Sequence, residues 1–445
     1  MLRMIAFLLL FSLFCSEVSA ADYDMGKLIG TDCAVFRMKP DEFLRSNRLF
    51  FKWTSSQKDT ARYPAFPNSP RSAFLGFRVY EAIATFQNET LIRFYLSLYN
   101  RGDAGPMELE AFDSLVENVR NALEKRTGEK GEELKGRLAS AMMVRAVVWV
   151  HGDFAYTMKW SVSGHSRREK LPEYLQLEIE RFNPKDDPRR RALTTVDRSK
   201  IESKQDLLEN VRKDEKGNVW IDGIPMVDQG MKGYCAAAVA ERVLKYYGCA
   251  GVNQHAIAQI TGTDALRGTS IVAMAEALRK AGSKFGITLR KRYVSDVDSI
   301  RDLEKIVQRY NATAKRMKRK RIRIISDNEY VYLGRTFAQM ELPVFRAYKM
   351  KYEQREFREF KRDIHDRVDK GLPLVWCVVL GVIPDKSAPQ AAGGHMRLII
   401  GYNDKTGEVI YSDTWGAAHE FKTMPYEDAW TITTRTMYIN PRAGR

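Results

Sequence analysis

Between Gly233 and Gly248 the chain reads G-Y-C-A-A-A-V-A-E-R-V-L-K-Y-Y-G, and no other stretch constrains the fold as tightly. Its apolar residues fall at Ala236, Val239, Ala240, Val243, Leu244 and Tyr247. That is the i, i+3, i+4, i+7, i+8, i+11 spacing of one buried helix face. Gly233 breaks the chain before the helix, and Gly248 stands where a helix ends. Cys235 therefore occupies the first turn, where unpaired N–H groups and the helix dipole favour negative charge. A thiol so placed, with a charged His beside it, has a pKa of roughly 3.5–7.5 and ionises near neutrality.

The residues around this helix supply partners for such a thiolate. Gln229 precedes Cys235 by six residues, through the turn GMKGY. Its amide and the Cys235 N–H are the two donors that a developing oxyanion needs. Near the C-terminus, AAGGHMRLIIGYND sets His395 at the start of an apolar run, and EVIYSDTWG sets Asp413 at the end of a second. Residues 398–413 read as a hairpin turning at Asp404, Lys405, Thr406 and Gly407, which brings His395 and Asp413 side by side.

This ordered set resembles the papain-like cysteine peptidases: Q-x5-C, then G-H before an apolar strand, then D-T-W-G where papain has N-S-W-G. It is most similar to the bacteriocin-processing (double-glycine) peptidase-like branch, with its Cys helix ending in Y-Y-G and its final GH, GY and D-x-x-G. Two following helical segments, VNQHAIAQITG and TSIVAMAEALRKAG, are shared as well. The resemblance spans roughly 224–290 and 365–420. It implies an α+β papain-like domain with a Cys-helix lobe and an antiparallel sheet lobe. It also implies a Cys235–His395–Asp413 triad with Gln229 as oxyanion donor, acting on a peptide or protein without a cofactor or metal. Two alternatives keep the same residues: transglutaminase-like or amidase acyl transfer, and a non-catalytic peptide- or surface-binding protein of this fold. His255, in the first turn of its helix, His419 and His151 are rival bases on residue type alone.

The chain has 445 residues. At about 150 residues per domain that predicts two or three domains. Residues 1–20 have the form of a secretory signal: Arg3, an apolar core from Met4 to Cys15, and Val18-Ser19-Ala20 before a cut at Ala21. They predict an exported bacterial protein, with no membrane span after signal removal. Residues 21–200 carry no family resemblance and are predicted as an α+β domain or a propeptide-like cover; the peptidase domain is predicted over 205–445. Within the first part the sequence predicts paired strands turning at Gln87-Asn88-Glu89, a helix from Pro106, a charged helix at 131–139, and strands joined at His151-Gly152-Asp153. It predicts a polar stretch over 161–220 with a linker at 183–191, a domain boundary near 195–210, and an ordinary turn at Arg101-Gly102-Asp103.

Export would allow disulfides among Cys33, Cys235, Cys249 and Cys377. With Cys235 as nucleophile three remain, so one bridge and one free thiol is the simplest count. Cys377 lies in the run LPLVWCVVLGVI, predicted as a strand buried on both faces. The net charge of +16 favours anionic partners. It is densest at Lys315, Arg316, Lys318, Arg319, Lys320, Arg321 and Arg323, seven cations in nine residues on a predicted basic insertion near 296–360. That segment is read as a patch for an anionic surface or acidic substrate, or as a solvated helix face. No nucleic-acid motif accompanies it. IRIISD and EYVYLG, beyond it, are predicted as short strands.

Overall fold

The computed structural model describes residues 23–442, apart from 65–67, 140–141, 165–169, 192–202, 250–252, 264–267, 270, 283–284, 295–296, 298, 328–330, 386 and 388–391. The expected signal at 1–20 and half of the expected domain boundary at 195–210 lie outside the described residues. Mixed helices and antiparallel sheets make an α+β fold, and two eight-stranded sheets dominate it.

The first sheet uses β1 (Lys52–Trp53), β2 (Thr60–Tyr63), β3 (Glu81–Gln87), β4 (Thr90–Asn100), β5 (Glu132–Ala139), β6 (Met142–His151), β7 (Phe154–Ser163) and β8 (Leu171–Arg181). Its order is β1-β2-β3-β4-β8-β7-β6-β5, every pair antiparallel. The β3–β4 turn sets Asn88 and Glu89 at φ of 49° and 58°, as a two-residue hairpin demands. The long helix α1 (Leu109–Thr127) packs on this sheet through Phe112, Val116, Val119 and Leu123. It starts three residues beyond Pro106.

Two expectations fail here. The charged stretch at 131–139 is the edge strand β5 rather than a helix. Its Glu133 pairs with Arg120 of α1 and with Lys135, and an exposed edge is where a sheet tolerates charges. The stretch 161–220, read only as polar, contains β8, which lies between β4 and β7. Its polar residues are all partnered: Glu173 with Arg101 and Ser163, Gln176 with Tyr95, Glu180 with Arg93. A strand whose carboxylates are matched across the sheet reads as polar in sequence yet buries as core.

The second sheet comprises β9 (Val211–Lys213), β10 (Asn218–Ile221), β11 (Ile287–Val294), β12 (Leu374–Leu380), β13 (Gly393–Asn403), β14 (Glu408–Ser412), β15 (Lys422–Pro425) and β16 (Thr433–Pro441). The order is β9-β10-β13-β12-β16-β11, with β14 paired to β13 and β15. All seven residues of β12 are buried, as its continuous apolar run demands. Among the helices of this half are α2 (Cys235–Tyr246), α3 (Gln254–Thr261), α4 (Ile271–Ala281), α5 (Ile300–Arg316), α6 (Leu333–Phe337), α7 (Leu342–Tyr352) and α8 (Gln354–Val368). Asn253 caps α3 by accepting from the Ala256 N–H. The expected strands IRIISD and EYVYLG reduce to one bridge, Ser326 to Val331, followed by α6. No described helix is long and apolar enough to cross a membrane.

The four cysteines at 33, 235, 249 and 377 are all unpaired, against the one bridge expected. The fold separates them: Cys33 lies in the core of the first sheet, while Cys249 and Cys377 are fixed in that of the second. Burial pushes the Cys249 thiol up to about 11 and the Cys377 thiol up to about 12, so both are inert.

Candidate active site

Cys235 is the first residue of α2, and Tyr234 before it gives no side-chain cap. The first-turn N–H groups are thus free to face the sulfur. Burial raises the thiol; the neighbouring His395, with the Ala236 and Met396 N–H groups, outweighs it and holds the thiol below its usual range. In the preceding loop Gly230 takes φ of 70° and turns the chain sharply. Gln229 beside it is buried. Its N–H donates to the Thr414 carbonyl at 2.9 Å, its Oε1 accepts from Thr414 Oγ1 at 2.5 Å, and its Nε2 donates to the Lys232 carbonyl at 2.9 Å. A primary amide has two N–H donors. One is spent on Lys232, and the second remains for a ligand.

His395 comes from the other side. On β13 it alternates with Met396, so His395 and Arg397 share a face. The register Leu398 to Ser412 ends β14 opposite that face and delivers Asp413 to it. His395 Nε2 meets Asp413 Oδ1 at 2.5 Å, and Arg397 Nε donates to Asp413 Oδ2 at 2.6 Å. The Thr414 N–H also donates to Oδ1, at 2.8 Å. Trp415 stacks on the imidazole at 4.3 Å between centroids, with planes 10° apart. With Nε2 taken by Asp413, Nδ1 has no other partner and is the nitrogen left for the thiol.

The electrostatics follow from this packing. Burial opposes a charged His395, but the Asp413 carboxylate and the Cys235 sulfur raise it to about 9. Burial also opposes an ionised Asp413, yet His395, Arg397 and the Thr414 N–H hold its carboxyl well below the usual range. A buried carboxylate is tolerable only when its oxygens are matched in this way. Arg242 adds a brace: it donates to the Asp413 carbonyl, to Ser412 Oγ, both at 2.6 Å, and to the Pro225 carbonyl at 2.8 Å. It thereby ties α2 to the end of β14.

The structure brings Cys235, Gln229, His395 and Asp413 together. The rival histidines have other work. His255 is buried rather than exposed, with Nε2 at 2.8 Å from Glu81 of the first sheet. His419 packs edge-on against Trp415, and its carbonyl accepts the Asp413 N–H at 2.7 Å. His151 ends β6 and is exposed. Among the described residues no three His, Cys, Asp or Glu gather as a metal site.

Sequence reasoning missed Arg397, Arg242, Thr414, Trp415 and Lys232. Arg397 was findable, because it stands two residues after His395 on a strand and must share its face. Arg242 carried a weaker signal, a charged residue one heptad from Cys235 and so on the same side of the helix.

Residues 221–438 match the model of the Peptidase_C39 like family, a match that includes the Cys235 helix, His395 and Asp413. It supports a relationship between this part of the chain and the papain-like C39 cysteine peptidases. No curated protein matches the chain.

Proposed function

We propose that the protein is an exported cysteine peptidase, with residues 205–445 as its peptidase domain and residues 21–200 as a preceding domain. Cys235 is the nucleophile, His395 the acid–base, Asp413 the group that orients the imidazole, and Gln229 an oxyanion donor. The observation that carries this reading is the His395 ring, fixed by Asp413 on one nitrogen and left unpartnered on the other, next to a helix-start thiol that it lowers. A depressed thiol beside a raised imidazole favours a thiolate–imidazolium pair in the resting site.

The steps follow from that pair. The Cys235 thiolate attacks a peptide carbonyl, and the carbonyl electrons move to oxygen. The Cys235 N–H and the spare Gln229 N–H stabilise the oxyanion. Collapse breaks the C–N bond while His395 gives its proton to the leaving amine. Neutral His395 then takes a proton from water, hydroxide adds to the thioester, and the carboxylic acid leaves with Cys235 restored. The test is hydrolysis of a quenched-fluorescence peptide library by wild type, Cys235→Ala and His395→Ala, with thermal unfolding measured alongside. Both variants are expected to fold and to be inactive; a fully active Cys235→Ala ends the reading.

Export rests on the form of residues 1–20, and N-terminal sequencing of the extracytoplasmic protein is expected to begin near Ala21. The basic segment Lys315–Arg323 favours acidic substrates or an anionic surface through encounter rate.

A further inference from the structure

The turn Arg101-Gly102-Asp103, unremarkable in sequence, docks on the loop that leads into Cys235. Asp103 Oδ2 meets Lys232 Nζ at 2.6 Å, and the Lys232 side chain is only 4% exposed. Asn100 aims the carboxylate, donating to the same oxygen at 2.5 Å and accepting the Asp103 N–H at 2.9 Å. Gly102 faces the Tyr234 hydroxyl so closely that a Cβ there would collide with it.

Lys232 is where this contact reaches the chemistry. Its carbonyl accepts Gln229 Nε2 at 2.9 Å and the Tyr234 N–H at 2.8 Å. One backbone oxygen thus orients the oxyanion amide and starts the Cys235 helix, while the side chain of the same residue is anchored in the first half of the chain. A second set of contacts grips the other end of the loop. Lys52 and Arg62 reach Asp228 at 3.3 and 3.9 Å, and Arg62 Nε is fixed by Glu81 at 2.7 Å. Arg62 also fills the space beside Gly230. Glu81 in turn holds His255.

We infer that Asp103 is a positioning residue for the oxyanion site: through Lys232 it sets the Gln229 amide, so the first half of the chain completes an active site whose reacting groups all lie in the second. This rests on the peptidase reading above. It requires no change of shape, only that the loop keep its geometry within a fraction of an ångström, since a misplacement of about 1 Å can cost about a hundredfold in rate.

Two small probes separate positioning from general stability. Iodoacetamide alkylates a thiolate by displacement and needs no oxyanion donor. p-Nitrophenyl acetate acylates the same thiolate through a tetrahedral oxyanion. In the full-length protein Asp103→Asn is expected to keep the Cys235 alkylation rate within about twofold and to slow acylation by about ten- to hundredfold. Asp103→Glu is expected to recover most of the loss. Asp103→Asn combined with Gln229→Ala is expected to be no slower than Gln229→Ala alone, because the two act through one group. Acylation at the wild-type rate in folded Asp103→Asn overturns the inference, as does a parallel fall of alkylation, acylation and unfolding temperature. If Asp103→Asn does not fold, Lys232→Met is measured in its place against the same two outcomes. Acylation persisting in Cys235→Ala instead sinks the peptidase reading itself, so the two failures are distinguishable.

Discussion

His395 sits on one strand and Asp413 just past the end of its neighbour in the same sheet, whereas Cys235 and Gln229 sit on a helix start and a loop that reach across to the other sheet. The first pair is enclosed by its own half: Arg397, Thr414, Trp415 and Arg242 all come from residues 242–415. The second pair draws on both halves, with Thr414 on one side and Asp103, Arg62 and Lys52 on the other. A strand register places a side chain through many ladder hydrogen bonds. A loop such as 228–234 has none, and must be held by side chains from elsewhere. The acid–base side of the site is therefore built in, and the nucleophile–oxyanion side is assembled.

The largest effects test whether the sides work as one centre. His395→Ala removes the imidazolium that stabilises the thiolate and the proton for the leaving amine, so hydrolysis is expected to vanish and alkylation of Cys235 at neutral pH to slow. If His395→Ala keeps full activity while His255→Ala loses it, the base belongs to the other side of the comparison. Next comes Gln229→Ala. One oxyanion donor is worth roughly 2.7–4 kcal/mol, so kcat is expected to drop about a hundred- to thousandfold with alkylation nearly unchanged. Equal losses of alkylation and kcat would show that Gln229 shapes the helix start rather than the oxyanion.

A smaller effect is expected for Asp413→Asn, because Trp415 still stacks on the ring and an amide oxygen can still accept from it. The pH profile is the sharper readout. His395 has its folded value raised to about 9 against an ordinary 6.5. Its protonated form is bound better in the folded chain, so its contribution to stability is complete below the ordinary value and is lost as pH rises through about 9. Cys235 is shifted the other way, so its contribution is present above the usual thiol range and is lost as pH falls through the depressed value. Activity that needs the ion pair spans the window between. Without the carboxylate the alkaline limb is expected to move to lower pH, narrowing the window from that end. An unmoved alkaline limb would leave Asp413 with no electrostatic role.

The same contrast explains what the sequence disclosed. Cys235, His395 and Asp413 were legible because each stands at the edge of a strong periodic pattern: an amphipathic helix face, a glycine-opened strand, the end of a hairpin. Arg242 and Lys232 were not, since a buried cation is recognised only by partners that lie far away in sequence. Asp413 follows Arg242 by 171 residues, and Asp103 precedes Lys232 by 129. The strand β8 was lost for a related reason: Glu173, Gln176 and Glu180 read as solvated until Arg101, Tyr95 and Arg93 are placed against them. Disulfide counting failed because cysteine number carries no information on which core each thiol enters.

The smallest expected effect sets exposed charge against the buried charge of the Asp103–Lys232 contact. Lys315–Arg323 leaves the end of α5 with every cation exposed and only Ile322 buried. The segment is nonetheless held in place, because Asn311 brackets Ile322, donating to its carbonyl at 2.9 Å and accepting its N–H at 2.8 Å. Arg319 has Glu341 at 3.6 Å, and Arg316 donates to Thr313 Oγ1 at 3.2 Å. Charges in water act through the encounter rate and are screened over about 8–10 Å at physiological salt, whereas a desolvated pair is screened far less. Replacing Lys315, Lys318, Lys320 and Arg321 with Gln is therefore expected to lower kcat/KM for acidic peptides at low salt by about tenfold, to leave kcat alone, and to flatten the salt dependence. The loss in Asp103→Asn is expected instead to be the same at low and high salt. A salt profile unchanged by the four substitutions would leave the segment as a solvated surface, and a salt-sensitive loss in Asp103→Asn would move that contact from the buried class to the exposed one.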